Sequence, residues 1–397
     1  MKHKKKLHVL YIITKLELGG AQKVCLNLAK GLKKLGHEPL LLSGPTGPLK
    51  EEAKTICQTI FLNDLTREIN SSCVFFKEFI CFFTLVGTIK KLKKKYPDLI
   101  IHTHSTKAGI LGRWAAFFAN VKKRIHTVHG YAFHKHQRWF VWLPIYFLEL
   151  ITSFVTTHFI CVSSEDVKTG IKLFPYFTPK HSIIRAAVDH NTLYIPATKT
   201  NINPDTAQTF VFGTISCFKP QKNLIDLLRA FAYVYQKDNR AKLEIIGDGV
   251  QRKHIEIFIK THNLHQQIIL HGWKQNITPI MLTWHAFVLS SLWEGLPCAV
   301  VEARLLKLPV LAYNTGGIKD IIENGKNGFL YPQKKWKQLA NGMLQLMNNK
   351  KLYSKLYYNK DNLIQFDTDV MIQEHIQLYQ TGYIRIDTLT DKKRNNV

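Results

Sequence analysis

Three observations in the sequence predict an α/β protein with two doubly wound parallel sheets in tandem. Short apolar runs typical of buried parallel strands alternate with segments whose apolar residues recur at helical spacing. This alternation stops in a polar, proline-containing stretch, residues 194–208, and restarts after it. The length of 397 residues also favours two domains over one. We therefore expect two Rossmann-like domains facing a cleft.

The domain bounds follow from these patterns. We expect an N-terminal domain over residues 1–193, a linker over 194–208 and a C-terminal domain over 209–365. The remaining residues, 366–397, should form a C-terminal helix that packs back toward the N-terminal domain, followed by a basic tail.

In the first half, apolar runs predict five strands, at residues 8–14, 39–43, 98–104, 124–128 and 159–162. Helices are expected over 21–35 and 107–119 and after Ser163, whose side chain suits an N-cap. Gly19 and Gly20 lie between the first strand and the first helix. Free backbone N–H groups at such a helix N-terminus suit a phosphate, although the pattern is neither GxGxxG nor a P-loop.

Three histidines, His102, His104 and His129, come near the carboxyl ends of predicted strands. They should share the rim of the sheet on which open α/β sheets bind ligands. We expect no metal there, because no HxxxH pattern occurs and no carboxylate is placed to assist.

The second half predicts strands at residues 210–216, 242–246, 268–271, 285–291 and 310–313. Helices should cover 224–236, 251–261 and 298–306, and most of the chain from 336 to 383. Glu294 falls in a loop at a strand's carboxyl end and Glu302 in the following helix, roughly 12 Å apart at the helical rise. Two carboxylates there could grip hydroxyls at both ends of a nucleotide sugar. The alternative is two solvated glutamates near a helix N-terminus.

The composition points to an anionic partner. The chain has 55 Lys and Arg against 28 Asp and Glu, a net charge of +27. Phosphorylated substrates, membrane surfaces and nucleic acids all fit this excess. No nucleic-acid-binding module is present in the sequence, so we expect no nucleic-acid partner. The seven dispersed cysteines indicate reduced thiols rather than disulfides or a zinc site.

Two apolar segments raise the question of a membrane. Residues 139–161 contain Pro144, Glu149 and His158, and predict an amphipathic helix plus a strand rather than a span. Residues 75–87 are apolar and are followed by the basic run 90–95. Such segments either lie on an anionic bilayer, together with the N-terminal lysines, or are core helices with solvated lysines.

Further motifs occur in a fixed order along residues 7–380. They are Gly19-Gly-Ala-Gln22, Pro97-Asp98, His102-Thr-His-Ser-Thr-Lys-Ala-Gly109, His126-Thr-Val-His-Gly130, Gly213-Thr-Ile-Ser216, Lys219-Pro-Gln-Lys222, Gly247-Asp-Gly249, Thr315-Gly-Gly317 and Asn324-Gly-x-x-Gly328-Phe329. Together with Glu294-x7-Glu302, which encloses Gly-Leu-Pro, they resemble retaining GT-B glycosyltransferases of family four, also called glycosyl transferases group 1. The resemblance is greatest to enzymes that extend lipid-linked capsular, exopolysaccharide or O-antigen saccharides.

The resemblance implies a role for each matching position. Glu294 should face the donor sugar, with the backbone of Gly295 and Leu296 holding its hydroxyls, and Glu302 should bind the ribose. His129 should reach the transferred sugar near its C6 oxygen. Glu294 and His129 are therefore the expected catalytic residues.

The donor diphosphate is expected to bind Lys222 from one domain and the Gly19-Gly20 region from the other. No metal is needed, because lysine and helix N-termini stabilise the charge of the departing diphosphate. The family usually adds an arginine where this chain has Cys217, so we expect Lys219 to supply that charge. The resemblance thus assigns donor binding to Gly19, Gly20, Lys219, Lys222, Gly247, Gly295, Leu296 and Glu302.

The predicted function is the transfer of a hexose from a nucleotide-diphosphate sugar to a lipid-linked or polysaccharide acceptor, without a metal or a cofactor. We expect the donor to be a UDP-sugar. We expect a peripheral protein on the cytoplasmic face of the inner membrane. One alternative is a GT-B-like nucleotide-sugar epimerase, and another is a non-catalytic polyanion-binding protein. The sequence does not name the donor sugar and base, the acceptor, the linkage or the oligomeric state.

Overall fold

The computed structural model describes residues 5–66, 74–134, 136–193 and 208–382. The chain divides into two compact units. The first combines Met1–Ala187 with Ile364–Val397, and the second is Val188–Leu363. Of the predicted linker, residues 194–207 lie outside the described part.

The first unit is built on a seven-stranded parallel sheet. Its strands are β1 (His8–Ile13), β2 (Glu38–Ser43), β3 (Gln58–Phe61), β4 (Ile100–His104), β5 (Lys123–Val128), β6 (His158–Cys161) and β7 (His181–Ile183). They lie in the order β3-β2-β1-β4-β5-β6-β7, so the direction of winding changes between β1 and β4. Every residue from Val9 to Ile13 is fully buried, as expected for a central strand covered on both faces.

In the described ranges, six helices connect these strands. They are α1 (Gly20–Lys34), α2 (Lys50–Ile56), α3 (Val74–Lys95), α4 (Thr106–Phe118), α5 (Trp139–Val155) and α6 (Ser164–Leu173). The Ser163 hydroxyl accepts a hydrogen bond from the Asp166 backbone N–H and caps α6, as the sequence predicts. Gly36, just past the end of α1, has φ +81° and lets the chain turn back into β2.

The second unit contains a six-stranded parallel sheet. Its strands are β8 (Phe210–Ile215), β9 (Ala241–Ile246), β10 (Ile268–Gly272), β11 (Ala286–Leu289), β12 (Val310–Tyr313) and β13 (Gly328–Tyr331). The order β10-β9-β8-β11-β12-β13 makes β8 and β11 neighbours at the point where winding reverses. Its helices are α7 (Leu224–Lys237), α8 (Arg252–Thr261), α9 (Thr278–Met281), α10 (Cys298–Leu305), α11 (Trp336–Met347) and α12 (Lys350–Tyr357).

The last helix, α13 (Thr368–Thr381), belongs to the first unit. The Asp367 side chain caps its N-terminus by accepting a hydrogen bond from the Asp369 N–H at 2.7 Å. Gly31 of α1 lies directly against Ile372, so the two helices pack closely. On the sheet side, the Tyr379 hydroxyl lies 2.6 Å from His102 Nδ1.

The predicted fold class is confirmed, with two parallel sheets covered by helices. Strands β3, β7 and β13 were not predicted, because each is short and only partly buried. Between β12 and β13 the chain forms a 3₁₀ helix, Gly316–Asp320. Residues 139–161 form a helix followed by a strand, as predicted, but the predicted polar outer face of that helix is wrong, because the exposed face of α5 is apolar. In the described ranges, no helix is both long and apolar enough to cross a membrane.

Candidate functional site

Lys222 and Glu294 meet at the carboxyl end of the second sheet. Lys222 ends a 3₁₀ turn that follows β8, and Glu294 lies in the loop that follows the neighbouring strand β11. The Lys222 ammonium is 2.5 Å from Glu294 Oε1. The side chains are 19% and 7% exposed, so the charges attract in a partly dehydrated environment. This edge, at a point where strand order reverses, is where open α/β sheets hold ligands.

Hydrogen bonds fix the two loops to each other. The Gln221 side-chain amide donates to the Trp293 backbone carbonyl at 2.7 Å, and the Leu292 backbone N–H donates to the Gln221 backbone carbonyl at 2.8 Å. The Ser290 hydroxyl donates to the Lys222 carbonyl at 2.9 Å. Lys222 and Glu294 are therefore held by their backbones as well as by their own ion pair.

A glycine on the next loop holds the Glu294 backbone from the other side. Gly316 has φ +51°, and a Cβ atom there would lie 2.0 Å from the Glu294 carbonyl oxygen. Next to it, the Gly317 N–H donates to the Gly295 carbonyl at 2.7 Å. Only glycine allows this close approach at this backbone conformation. The Thr315-Gly-Gly317 motif thus sets the position of Glu294.

The residues after Glu294 lead into α10. Gly295 and Leu296 are buried, and within the described ranges neither amide N–H donates a hydrogen bond. Pro297 is the N-cap residue, one position before the predicted helix start. Glu302 is half-buried in the second turn of α10. Because 294–297 is not helical, the helical rise does not give the distance between the two carboxylates, and the 12 Å estimate does not apply.

The loop after β8 gathers further predicted donor-binding residues. The Lys219 N–H donates to the Cys217 carbonyl at 2.7 Å, and the Lys222 N–H donates to the Lys219 carbonyl at 2.9 Å. Gly247, which follows β9, has φ +129° and lies so close to the Ser216 carbonyl that a Cβ would overlap it. The structure therefore brings Lys219, Lys222 and Gly247 to the same sheet edge, with Cys217 half-exposed where the family pattern has arginine.

Gly19 and Gly20 lie at the corresponding edge of the first sheet. Gly19 is the N-cap of α1, and Gly20 begins the helix directly after the loop from β1. Gly20 is exposed, with open space where a side chain would be, and the first turn of α1 has no acidic residue. The backbone N–H groups of this turn are therefore accessible to an anion.

His129 is part of a histidine cluster in the first unit. Its Nε2 atom lies 2.9 Å from His104 Nδ1, and the rings of His104 and His102 are 4.4 Å apart. Burial lowers the pKa of His129 to about 4, and it lowers the pKa values of His102 and His104 well below their usual range. His129 is therefore neutral at physiological pH and could exchange hydrogen bonds with a sugar hydroxyl without introducing a charge.

The sequence did not predict what surrounds these histidines. His102 is hydrogen-bonded to Tyr379 on one side and to the Thr127 hydroxyl at 2.7 Å on the other. His375 of α13 stacks 5.6 Å from His102. Tyr379 and His375 come from the far end of the chain, and only their place in the apolar pattern of the last helix could have indicated burial. Across the described part of the chain, no three His, Cys, Asp or Glu side chains are grouped so as to hold a metal ion.

Comparison with known proteins agrees with this architecture. The family model described as "Glycosyl transferases group 1" matches residues 198–363, and the "Glycosyltransferase Family 4" model matches residues 18–191. The chain is 32% identical, over 84% of its length and 86% of the relative's, to the Escherichia coli UDP-Gal:alpha-D-GlcNAc-diphosphoundecaprenol alpha-1,3-galactosyltransferase. It is 24% identical to the capsular polysaccharide biosynthesis glycosyltransferase CapM of Staphylococcus aureus, over 75% of this chain and 80% of that protein.

A solved structure shows the same fold. Anabaena HepE, crystallised in complex with UDP, superposes with a TM-score of 0.77 at 19% identity, covering 94% of this chain and 100% of HepE. Because the two family models match successive parts of the chain and the galactosyltransferase aligns across most of it, the resemblance drawn from the sequence motifs is confirmed. The chain belongs to the GT-B glycosyltransferases of family four.

Proposed function

We propose that this enzyme transfers a hexose from a UDP-sugar to a lipid-linked saccharide during cell-surface glycan synthesis. The observation that carries the proposal is the Lys222–Glu294 pair, which sets a cation beside a carboxylate at the ligand-binding edge of the second sheet. The galactosyltransferase relative, whose name specifies a UDP-sugar donor and a diphosphoundecaprenol-linked acceptor, supports the choice of both substrates.

In the proposed reaction, the bond between the donor's anomeric carbon and the diphosphate oxygen breaks, and the acceptor hydroxyl oxygen bonds to that carbon. UDP leaves with the electron pair, and the acceptor proton is released to a diphosphate oxygen or to water. Lys222 neutralises the charge that develops on the diphosphate, assisted by Lys219 and the close backbone approach at Gly247. From the family resemblance, we also propose Gly19 and Gly20 for phosphate binding. We propose that the anomeric configuration is retained.

The other predicted residues bind the donor sugar and the ribose. Glu294 accepts hydrogen bonds from the sugar hydroxyls, and the amide groups of Gly295 and Leu296, which lie beside it, donate to them. Glu302 binds the ribose hydroxyls from the second turn of α10. The neutral His129 imidazole hydrogen-bonds the C6 hydroxyl of the transferred sugar, which makes the C6 position a determinant of donor choice.

We propose that the enzyme works without a divalent metal and without a cofactor. The basis is Lys222, an ammonium already held at the sheet edge, which supplies the positive charge that a metal would otherwise provide. We also propose that the protein works on the cytoplasmic face of the inner membrane, where a lipid-linked acceptor would be presented. The net charge of +27 favours an anionic membrane surface.

The test is a transfer assay with a panel of UDP-hexoses and GlcNAc-diphosphoundecaprenol as acceptor. Mass spectrometry of the lipid fraction should show one added hexose, together with UDP release that depends on the acceptor. Conversion of a UDP-sugar to its isomer without acceptor would instead identify an epimerase. If no UDP-sugar is turned over and polyanions bind tightly, the proposed donor class is wrong.

A further inference from the structure

The outward face of α5 is apolar along its whole length. Seven large apolar side chains of this helix are between 42% and 67% exposed: Trp139, Phe140, Val141, Phe147, Leu148, Ile151 and Phe154. Glu149 is the helix's one charged residue. It is buried and forms an ion pair with Arg113 at 2.7 Å. A surface helix of a globular domain normally presents polar residues to water, and α5 presents none that is charged.

The neighbouring helices extend this surface. Phe117 and Phe118 of α4, and Phe79, Ile80 and Phe83 of α3, are also exposed. The rings of Phe82 and Phe118 lie 5.9 Å apart and join α3 to α4, and the Trp114 indole donates to the Thr152 hydroxyl and joins α4 to α5. We call the exposed apolar residues of these three helices the aromatic face. Contiguous apolar patches on monomeric proteins rarely exceed a few hundred Å² and usually mark an interaction site.

Cations border the aromatic face. The Arg138 guanidinium lies 5.8 Å from the Phe140 ring, and the Arg124 guanidinium lies 5.6 Å from the Phe117 ring. At the end of α5, Phe154 contacts Tyr176, over which Lys180 lies at 6.0 Å. The C-terminal turn of α3 adds exposed lysines from the run 90–95.

Acidic residues do not offset these cations. Helices α3, α4 and α5 contain two, Glu78 and Glu149, and each forms an ion pair with Lys107 or Arg113. Lys5 and Lys6 contribute less, since they lie 3.1 and 2.7 Å from Asp98 and Glu38. Helices α3, α4 and α5 therefore keep a net positive charge.

We propose that the aromatic face docks into the boundary between headgroups and acyl chains of an anionic bilayer, with α5 lying in the membrane plane as the inserted element. An apolar surface bordered by Lys and Arg matches both layers of that boundary. With 17 residues, α5 is roughly 25 Å long, too short for the ~30 Å hydrocarbon core, so it lies along the surface. A second copy of the chain fits less well, because it would bring an equally positive border against this one.

This inference rests on the proposed function in one respect, since a lipid-linked acceptor gives the docking its purpose. Docking through the first unit would hold that unit on the bilayer that contains the acceptor. Lysines attract the protein to the surface, but inserted aromatic side chains keep it there, so high salt should slow binding without releasing bound protein.

Flotation of the full-length protein with phosphatidylglycerol vesicles tests the docking. The variant Ile151→Glu places a charge on the aromatic face, and Ile257→Glu is its matched control on α8, because the two side chains are 52% and 54% exposed. Ile151→Glu should weaken vesicle binding by at least ~10-fold, and Ile257→Glu should leave it unchanged. Equal binding by the two variants, or release of bound wild-type protein by high salt, would overturn the proposal.

A second measurement separates docking from catalysis. Ile151→Glu should lower the transfer rate to acceptor embedded in vesicles and leave the rate with a detergent-dispersed, short-chain acceptor unchanged. Equal losses with both acceptors would overturn the proposal. If neither acceptor is used but the wild-type protein still floats and Ile151→Glu does not, docking stands and the proposed function fails. A dimer in solution that Ile151→Glu dissociates would identify the face as a protein interface and overturn the proposal.

Discussion

Replacing Gly316 by alanine tests whether the backbone of Glu294 is positioned as the structure indicates. The new Cβ would lie 2.0 Å from the Glu294 carbonyl oxygen, so reaching ordinary contact at 3.4 Å moves one of the two backbones by about 1.4 Å. A displacement of ~1 Å in a catalytic group can reduce the rate by ~10²-fold. We expect Gly316→Ala to lower kcat/KM by about that factor.

Gly325→Ala is the matched control. Gly325 also has a positive φ, +80°, but the nearest atom to a Cβ there is a Phe329 ring carbon at 4.0 Å. Both substitutions place alanine in the left-handed region, at a cost of ~1 kcal/mol in stability, and only Gly316→Ala adds the clash. Steady-state transfer rates and thermal unfolding of both variants provide the comparison. Equal rates for Gly316→Ala and Gly325→Ala, with both proteins folded, would refute the reasoning.

Three further predictions concern charge and protonation. Excess EDTA should leave transfer unchanged, and complete loss that manganese restores would contradict the metal-free proposal. Lys219→Ala should weaken UDP-sugar binding, measured by calorimetry, while Cys217→Arg should preserve or improve it. Unchanged affinity in Lys219→Ala would contradict the expectation that Lys219 supplies the charge of the arginine replaced by Cys217. Burial lowers the pKa of His375 from 6.5 to about 4, so its contribution to stability is complete above pH 6.5 and is lost as pH falls toward 4. Burial raises the pKa of Glu374 to about 7, which acts in the opposite direction between pH 4.5 and 7. Glu374 is present in both wild type and His375→Leu, so its effect cancels in the comparison. Between pH 6.5 and 4, the unfolding free energy of His375→Leu should fall less than that of wild type, by up to ~1.4 kcal/mol per pH unit. Identical pH dependence of the two unfolding free energies would contradict this.

The sequence predicted the placement of Lys222 and Glu294 at one sheet edge because that placement depends on local patterns. Each follows a short apolar strand, and the loops after parallel strands of one sheet lie at the same edge. The ion pair itself was not predicted, since it depends on the 3₁₀ turn Pro220–Lys222 and on the hydrogen bond from the Gln221 side chain that holds this turn.

Two other features depend on packing that periodicity does not describe. His102 and Tyr379 are 277 positions apart in the chain, and nothing in the sequence near either one indicates the other. In α5 apolar residues occupy all sides, so the spacing of the sequence does not show which side faces water. For that helix, the buried Arg113–Glu149 pair, at 2.7 Å, identifies the inward side.

The measurement that tests the central claim most directly is the transfer rate of Glu294→Gln, compared with wild type and with Glu323→Gln. Glu323 also forms an ion pair with a lysine, Lys326, but both side chains are exposed, so the substitution repeats the chemistry away from the site. We predict that Glu294→Gln lowers kcat by at least ~10²-fold while unfolding at a similar temperature, and that Glu323→Gln transfers at the wild-type rate. A folded Glu294→Gln protein that transfers hexose at the wild-type rate would contradict the account.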